Sequence, residues 1–239
     1  MQALILLGGK GTRLRALCAD RPKALVPVAG RPFLEWQIEW LSRGGIRDIH
    51  LAAGHLARPL AEAGAAAPRR GPLTLAVEPE PLGTGGGLKF AELHLRSDPF
   101  LILNGDSLLP NLDFRALQAQ PPEGALLTMA ATFAADAGRF GTVRSDEHGR
   151  VTAFLEKAAA REGWINGGVY LARRALLDLI PAGRPVSLEH EVFPALCAEG
   201  KLAVFRAPPP LLDMGTPEGL EAMAAYLAAP APSGPAGRA

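Results

Sequence analysis

The sequence predicts an α/β fold: a Rossmann-like, doubly wound sheet, mixed but mostly parallel, with helices on both faces. Apolar runs of strand length recur along the chain at ALILL (3–7), DIHLAA (48–53), LTLAV (73–77), FLILN (100–104) and ALLTMAA (125–131). Their apolarity is continuous rather than alternating, which suits strands covered on both faces, as in a parallel sheet. Helix-patterned stretches lie between them. The resulting βαβαβ order places ligands beyond the carboxyl ends of the strands.

The first helix is FLEWQIEWLSRGG (33–45), with Phe33, Trp36, Ile38, Trp40 and Leu41 on a broad face and Gly44–Gly45 as its stop. The middle of the chain changes character. RFGTVRSDEHGRVTAFLE (139–156) reads as two strands joined by a polar turn at Asp146–Gly149. WINGGVYLA (164–172) is a strand whose glycine pair predicts a bulge or a close backbone approach. SLEHEVFPALCAEG (187–200) reads as a helix and LAVFRA (202–207) as a strand. GTPEGLEAMAAYLA (215–228) is a last helix, capped by Thr216 with Pro217 at its first position. The tail APAPSGPAGRA (229–239) has no core-forming residue and is expected to be disordered. No linker divides residues 1–228, which are expected to form one domain.

Composition narrows the partners. At 239 residues and 48% hydrophobic content the chain can bury a large core. Its 25 Lys+Arg nearly cancel 24 Asp+Glu, so it lacks the electrostatic footprint of a nucleic-acid or membrane binder, and a small-molecule partner is favoured. No apolar stretch approaches the roughly 18 residues of a membrane span, and no signal peptide is visible, so the cytoplasm is the expected compartment. Cys18 and Cys197 lack metal-ligand spacing. The histidines (50, 55, 94, 148 and 190) are scattered and are expected on the surface.

The first strand runs into LLGGKGTRL. A dinucleotide fingerprint fails, because counting G-x-G-x-x-G from Gly9 puts Leu14 at the third glycine. A P-loop fails as well, because Gly9-Lys10 is followed by Gly11 rather than Ser or Thr. A plain tight turn is the bland alternative. Yet a run of backbone N–H groups forms an anion-binding nest, Arg13 adds a fixed charge, and Lys23 brings a second charge behind a proline. The pattern suits a cradle for a triphosphate.

GGKGTRL with RPKALVPV, then EPLGTGG (80–86), LNGD (103–106), RFGTV (139–143), LEK (155–157), INGGVY (165–170) and LDMGTPE (212–218), resembles the sugar-1-phosphate nucleotidyltransferase family over roughly residues 2–225. Within it, EPLGTGG, RFGTV, INGGVY, SLEHEVFP and LDMGTPE in a short chain are most similar to the D-glycero-α-D-manno-heptose 1-phosphate guanylyltransferases. The resemblance implies the nucleotide-diphospho-sugar transferase fold, with a nucleotide-binding half at about 1–112 and a sugar-binding half at about 113–228. It also implies the reaction NTP plus sugar 1-phosphate giving NDP-sugar plus pyrophosphate, with Mg²⁺ as cofactor and the product feeding a surface glycan. Family members commonly associate, so a homo-oligomer is possible, though no stripe identifies an interface.

The residue roles follow from that resemblance. Leu7, Gly8, Gly9, Gly11, Thr12 and Arg13 would hold the nucleotide phosphates, and Gly83, Thr84 and Gly85 would line the nucleotide. Lys23 would sit between the α-phosphate and the sugar phosphate. Arg13, Lys23 and Asp106 are the catalytic candidates. Asp106 ends a strand at the ligand-bearing edge and would clamp Mg²⁺ with Asp213. The bland roles are a turn-former for Asp106 and a helix cap for Asp213, although Thr216 already fills the cap. Gly141, Glu156, Lys157 and Asn166 would face the sugar phosphate, although Glu156-Lys157 taken alone reads as a solvated pair. A carboxylate can accept both N1–H and N2–H₂ of guanine, so Glu78 or Glu80 favours GTP. An exposed loop glutamate is the rival reading. Other acceptors in the class are N-acetylmuramate 1-phosphate with UTP and mannose 1-phosphate with GTP. A catalytically silent nucleotide-sugar-binding module is the reading from outside it, and it would not need both cations and both carboxylates.

Overall fold

The apolar runs become strands of a nine-stranded sheet among the described residues. The computed structural model describes residues 1–8, 21–54, 57–69, 71–119, 121–155 and 162–229. In chain order the strands are β1 (Gln2–Leu6), β2 (Pro27–Val28), β3 (Arg31–Pro32), β4 (Asp48–Ala53), β5 (Leu73–Val77), β6 (Phe100–Asn104), β7 (Ser107–Leu108), β8 (Leu127–Ala134), β9 (Thr142–Ser145), β10 (Val151–Leu155), β11 (Gly163–Ala172), β12 (Leu202–Arg206) and β13 (Leu212–Asp213). The α-helices are α1 (Phe33–Arg43), α2 (Ala57–Ala66), α3 (Gly83–Phe90), α4 (Phe114–Ala119), α5 (Phe193–Ala198) and α6 (Pro217–Ala228).

Along β5-β4-β1-β6-β11-β8-β12 every strand runs parallel to β1 except β11. Both faces are covered. Ala3 and Ile5 of β1 pack with Leu34, Ile38 and Leu41 of α1 and Leu60 of α2, whereas Leu4 packs with Leu88 of α3 and Phe193 and Leu196 of α5. This two-sided burial is why the strands read as continuous apolar runs. A third cluster of Val26, Val28, Phe33, Leu108, Leu212, Met214 and Met223 anchors α6 beside β2, β7 and β13. No helix among the described residues is long and apolar enough to cross a membrane.

The strands over 48–53, 73–77 and 100–104 match the sequence reading. The strand expected at 125–131 lies at Leu127–Ala134 instead, because β11 keeps pairing with it through Ala134. The glycine pair of β11 does mark a bulge, between Asn166 and Val169, with Gly168 at φ +71°. The helix read at 187–200 opens as a π-type turn over Leu188–Val192, where Val192 N–H reaches Ser187 O. Pro194 cannot donate at the junction, and the α-helix proper is Phe193–Ala198. His50 is buried rather than on the surface, since it stands in β4 opposite Leu4. Gln2 Nε2 lies 2.9 Å from its Nε2, and burial pushes its pKa down.

Helix α3 begins on a glycine the fold requires. Gly83 has φ +73°, and a Cβ there would lie 2.6 Å from Val186 O. Gly83→Ala is expected to cost about 1–3 kcal/mol in strain and to lower Tm by several degrees in a thermal melt.

Candidate active site

Strands β1 and β6 are neighbours, but the chain leaves β1 toward β4 on one side and β6 borders β11 on the other. This is the topological switch point, where α/β sheets open a crevice at the strand carboxyl ends. The two strand ends are pressed together. Gly105 N–H donates to Leu6 O at 3.0 Å, and a Cβ on Gly105 would come within 2.6 Å of that oxygen. Leu7, Gly8, Asn104 and Asp106 open from this seam into one cleft, with Lys23, Glu78, Gly83, Thr84 and Glu189 around it.

Lys23 begins a short 3₁₀ turn, Lys23–Leu25, behind Pro22. Its Nζ lies 2.6 Å from Asp106 Oδ2. Asp213 comes from the other end of the sequence. The two-residue ladder of β7 and β13 pairs Leu108 with Leu212 and Ser107 with Asp213, and Met214 N–H donates to Asp106 O at 3.0 Å. Two carboxylates are thereby held side by side. Burial first, and then the charge of Asp106, pushes the Asp213 pKa up, against the opposing pull of Lys23 and Arg139. Asp213 Oδ1 accepts from Gly215 N–H at 3.0 Å, and Thr216 caps α6, so the cap and the carboxylate are separate groups.

Paired carboxylates that repel each other, with Asp106 lining the cleft and Asp213 behind it, are a fitting donor set for a hard divalent cation. Among the described residues no group of three or more His, Cys, Asp or Glu gathers that could hold a metal. A cation here would take Asp106 and Asp213 and fill its remaining positions from water and phosphate oxygens, as Mg²⁺ does. The raised pKa also fixes a sign. The stability linked to Asp213 is fully present below its unfolded value and is lost as pH rises through its higher folded value. Asp213→Asn is therefore expected to raise Tm by a few degrees at neutral pH without added cation, and to abolish any shift in Tm that added Mg²⁺ produces in the wild type. A melting series with and without Mg²⁺ checks both.

The two glutamates proposed for the base separate clearly. Glu78 follows β5, is 6% exposed, and its Oε2 accepts from Leu82 N–H at 3.0 Å. A Cβ on Gly87 would lie 2.6 Å from its Oε1, so the glycines of α3 leave room for this carboxylate. Burial pushes its pKa up. Glu80 is exposed and lies outside the cleft lining. Gly83 and Thr84 line the cleft, but Gly85 is buried with its N–H on Val186 O at 2.9 Å. Thr84 Oγ1 donates to Glu189 Oε2 at 2.8 Å and accepts from Leu188 N–H.

On the sugar side, Gly141 O accepts from Asn166 N–H at 2.8 Å, which brings those two positions together. Asn166 Nδ2 donates to the buried Tyr170 hydroxyl at 2.8 Å, and Gly168 N–H donates to Asn166 Oδ1. Gly9, Gly11, Thr12 and Arg13 of the glycine turn, with Glu156 and Lys157, lie outside the described residues. Sequence reasoning missed Asn104, Glu189 and Arg139. Each sits in a quoted motif, LNGD, SLEHEVFP or RFGTV, but only the fold brings Asn104 and Glu189 to one cleft. Arg139 Nη1 donates to Thr216 Oγ1 at 2.9 Å, close enough for its charge to stabilise the Asp213 carboxylate.

The family model for nucleotidyl transferases matches residues 2–229. Mannose-1-phosphate guanylyltransferase from Mycobacterium tuberculosis is 37% identical over 91% of this chain, and mannose-1-phosphate guanyltransferase from Pichia angusta is 37% identical over 96% of it. The chain spans 62% and 65% of those two curated relatives' lengths. The crystal structure of HddC from Yersinia pseudotuberculosis superposes with a TM-score of 0.85 at 27% identity, covering 95% of this chain and 99% of that one. A second structure of HddC, in complex with GMP-PN, superposes with a TM-score of 0.83.

Proposed function

Because this chain belongs to the nucleotidyl transferase family, we propose that it transfers a nucleotidyl group from an NTP to a sugar 1-phosphate. GTP is the favoured donor and D-glycero-α-D-manno-heptose 1-phosphate the favoured acceptor. The observation that carries this reading is Lys23 Nζ at 2.6 Å from Asp106 Oδ2, with Asp213 laddered alongside at the switch point. That arrangement supports the reading, because two anionic substrates brought together need a cation and a metal-holding carboxylate pair beside them.

An oxygen of the sugar phosphate attacks the α-phosphorus, the bond from the α-phosphorus to the bridging oxygen breaks, and pyrophosphate leaves with that oxygen. The phosphate monoester, with a second pKa of about 6, is mostly dianionic at neutral pH and needs no general base. The protein's work is then neutralisation and alignment. Lys23 swings its charge from Asp106 to the phosphates it brings together. Gly8, Gly83 and Thr84 border the nucleotide, and Arg13 carries the leaving pyrophosphate charge. Gly141, Asn166, Glu156 and Lys157 hold the sugar phosphate. Asp106 and Asp213 would hold Mg²⁺, which would supply charge neutralisation at the phosphate oxygens.

The preference for GTP is supported by the buried Glu78 carboxylate, by the guanylyltransferase names of the curated relatives, and by the GMP-PN complex of HddC. The heptose acceptor is supported by the combination of EPLGTGG, RFGTV, INGGVY, SLEHEVFP and LDMGTPE. Mannose 1-phosphate is the second reading, favoured by the 37% identity to the mycobacterial and yeast enzymes. A panel of each NTP with heptose, mannose, glucose and N-acetylmuramate 1-phosphates, read as pyrophosphate release with Mg²⁺, tests the reading. GTP with the heptose phosphate should turn over fastest. Fastest turnover of mannose 1-phosphate, or of UTP with N-acetylmuramate 1-phosphate, overturns the specificity. In the same panel Glu78→Gln should shift preference from GTP toward UTP, since an amide matches the single N–H and flanking acceptors of uracil.

A further inference from the structure

Helix α1 carries a polar side chain on its buried face. Gln37 has no exposed surface and stands among the buried Leu34, Ile38 and Leu41. Its Nε2 donates to two backbone carbonyls, Asn104 O at 2.8 Å and Ser107 O at 3.0 Å. Those carbonyls bracket Gly105-Asp106, the turn that presents the carboxylate to Lys23. Its Oε1 has no hydrogen-bond partner among the described residues. A buried amide with one end unmet is a poorer core filler than an apolar side chain of the same shape. Packing therefore does not account for it, whereas the two bonds to the turn do.

We propose that Gln37 is a positioning residue for the carboxylate pair. It pins both ends of the Asn104–Ser107 turn so that Asp106 stays beside Lys23 and alongside Asp213, and it thereby sets the pair's affinity for a divalent cation. The inference rests on the functional reading above, in which that pair clamps Mg²⁺. Sites of this kind tolerate only about 0.5 Å of drift, and a misplacement of about 1 Å can cost about 10²-fold in rate.

Gln37→Met keeps the volume and removes both donated bonds. Gln37→Glu keeps the shape, and its carboxyl, protonated in an apolar setting, donates one bond. Each full-length variant is melted, titrated with Mn²⁺ alone by thermal shift, and assayed for kcat and KM. The expected order of Mn²⁺ affinity is wild type, Gln37→Glu, Gln37→Met, with a total loss of about tenfold. Tm without cation falls by a few degrees at most, because Asn104 O and Ser107 O lose their donor while the unmet Oε1 is also removed. The kcat falls about 10-fold to 10²-fold, and KM for the sugar phosphate stays within about twofold. A wild-type Mn²⁺ midpoint in Gln37→Met overturns the proposal. So does a loss in both variants that follows Tm alone. The Mn²⁺ midpoints need no turnover, so a wild type inactive on every substrate pair overturns the functional reading and leaves the positioning result to be read separately.

Discussion

Asp106→Asn is expected to lower the rate of the proposed nucleotidyl transfer by about 10²- to 10³-fold or more while nucleotide binding survives. The substitution keeps the shape of the side chain and removes its charge. The backbone that holds the position is untouched, because Met214 N–H bonds to the Asp106 carbonyl and the β7–β13 ladder lies beside it. With the Asp106 charge gone, a main cause of the raised Asp213 pKa goes too, so Asp213 ionises more easily. Less negative charge then faces the triphosphate. The kinetic signature is a collapse of kcat with KM for the NTP unchanged or lower. Steady-state kinetics over a range of NTP concentrations, with a melting curve to establish that the variant is folded, measure it. Wild-type kcat would remove Asp106 from the reaction.

Lys23→Met is expected to lower kcat/KM for the sugar phosphate by about 10³-fold, with Lys23→Arg recovering part of the loss. Lys23 is 16% exposed and stands against a carboxylate that is 37% exposed, so its charge acts in a partly desolvated setting. Removing it leaves Asp106 without its partner and removes one of the charges that stabilise ionised Asp213. Two negative substrates would then approach two negative side chains. The pH profile carries a second signature. Asp213 acts as a carboxylate, so activity falls on the acid side as pH drops through its raised pKa, and that limb moves to higher pH in Lys23→Met. An unmoved acid limb would mean that the titrating group is not Asp213.

The parts of the fold that were legible in the sequence share one physical cause. Strands buried on both faces need continuous apolarity, and β4 and β6 have it, whereas β5 at the sheet edge is only half-buried. Thr216 and Pro217 announce α6 because capping depends on adjacent residues alone. The GTGGGLKF helix was not legible, since its glycines lower helix propensity. Tertiary demands set it instead: Gly87 clears the Glu78 carboxylate, and the N–H groups of Gly85 and Gly86 meet Val186 O. His50 was misjudged because a scattered histidine says nothing of the strand pairing that buries it.

The candidate site divides the same way. Lys23, Asp106 and Asp213 were found by motif, but the bond between the first two and the ladder to the third join segments far apart in sequence. Sequence alone could not choose between Glu78 and Glu80. The end of β5 places Glu78 against α3 and leaves Glu80 in solvent. Gln37 had no signal at all, since an amide on the buried face of an amphipathic helix reads as an interruption.

In the proposed reaction the switch-point cleft joins an NTP to a sugar 1-phosphate through Lys23, Asp106 and Asp213. Phosphorus NMR of GTP, Mg²⁺ and heptose or mannose 1-phosphate with the full chain tests it most directly. One pyrophosphate is expected for each NDP-sugar formed, both appearing about 10²- to 10³-fold more slowly with Asp106→Asn. GTP left intact with every sugar phosphate, or cleaved without an NDP-sugar appearing, would contradict it.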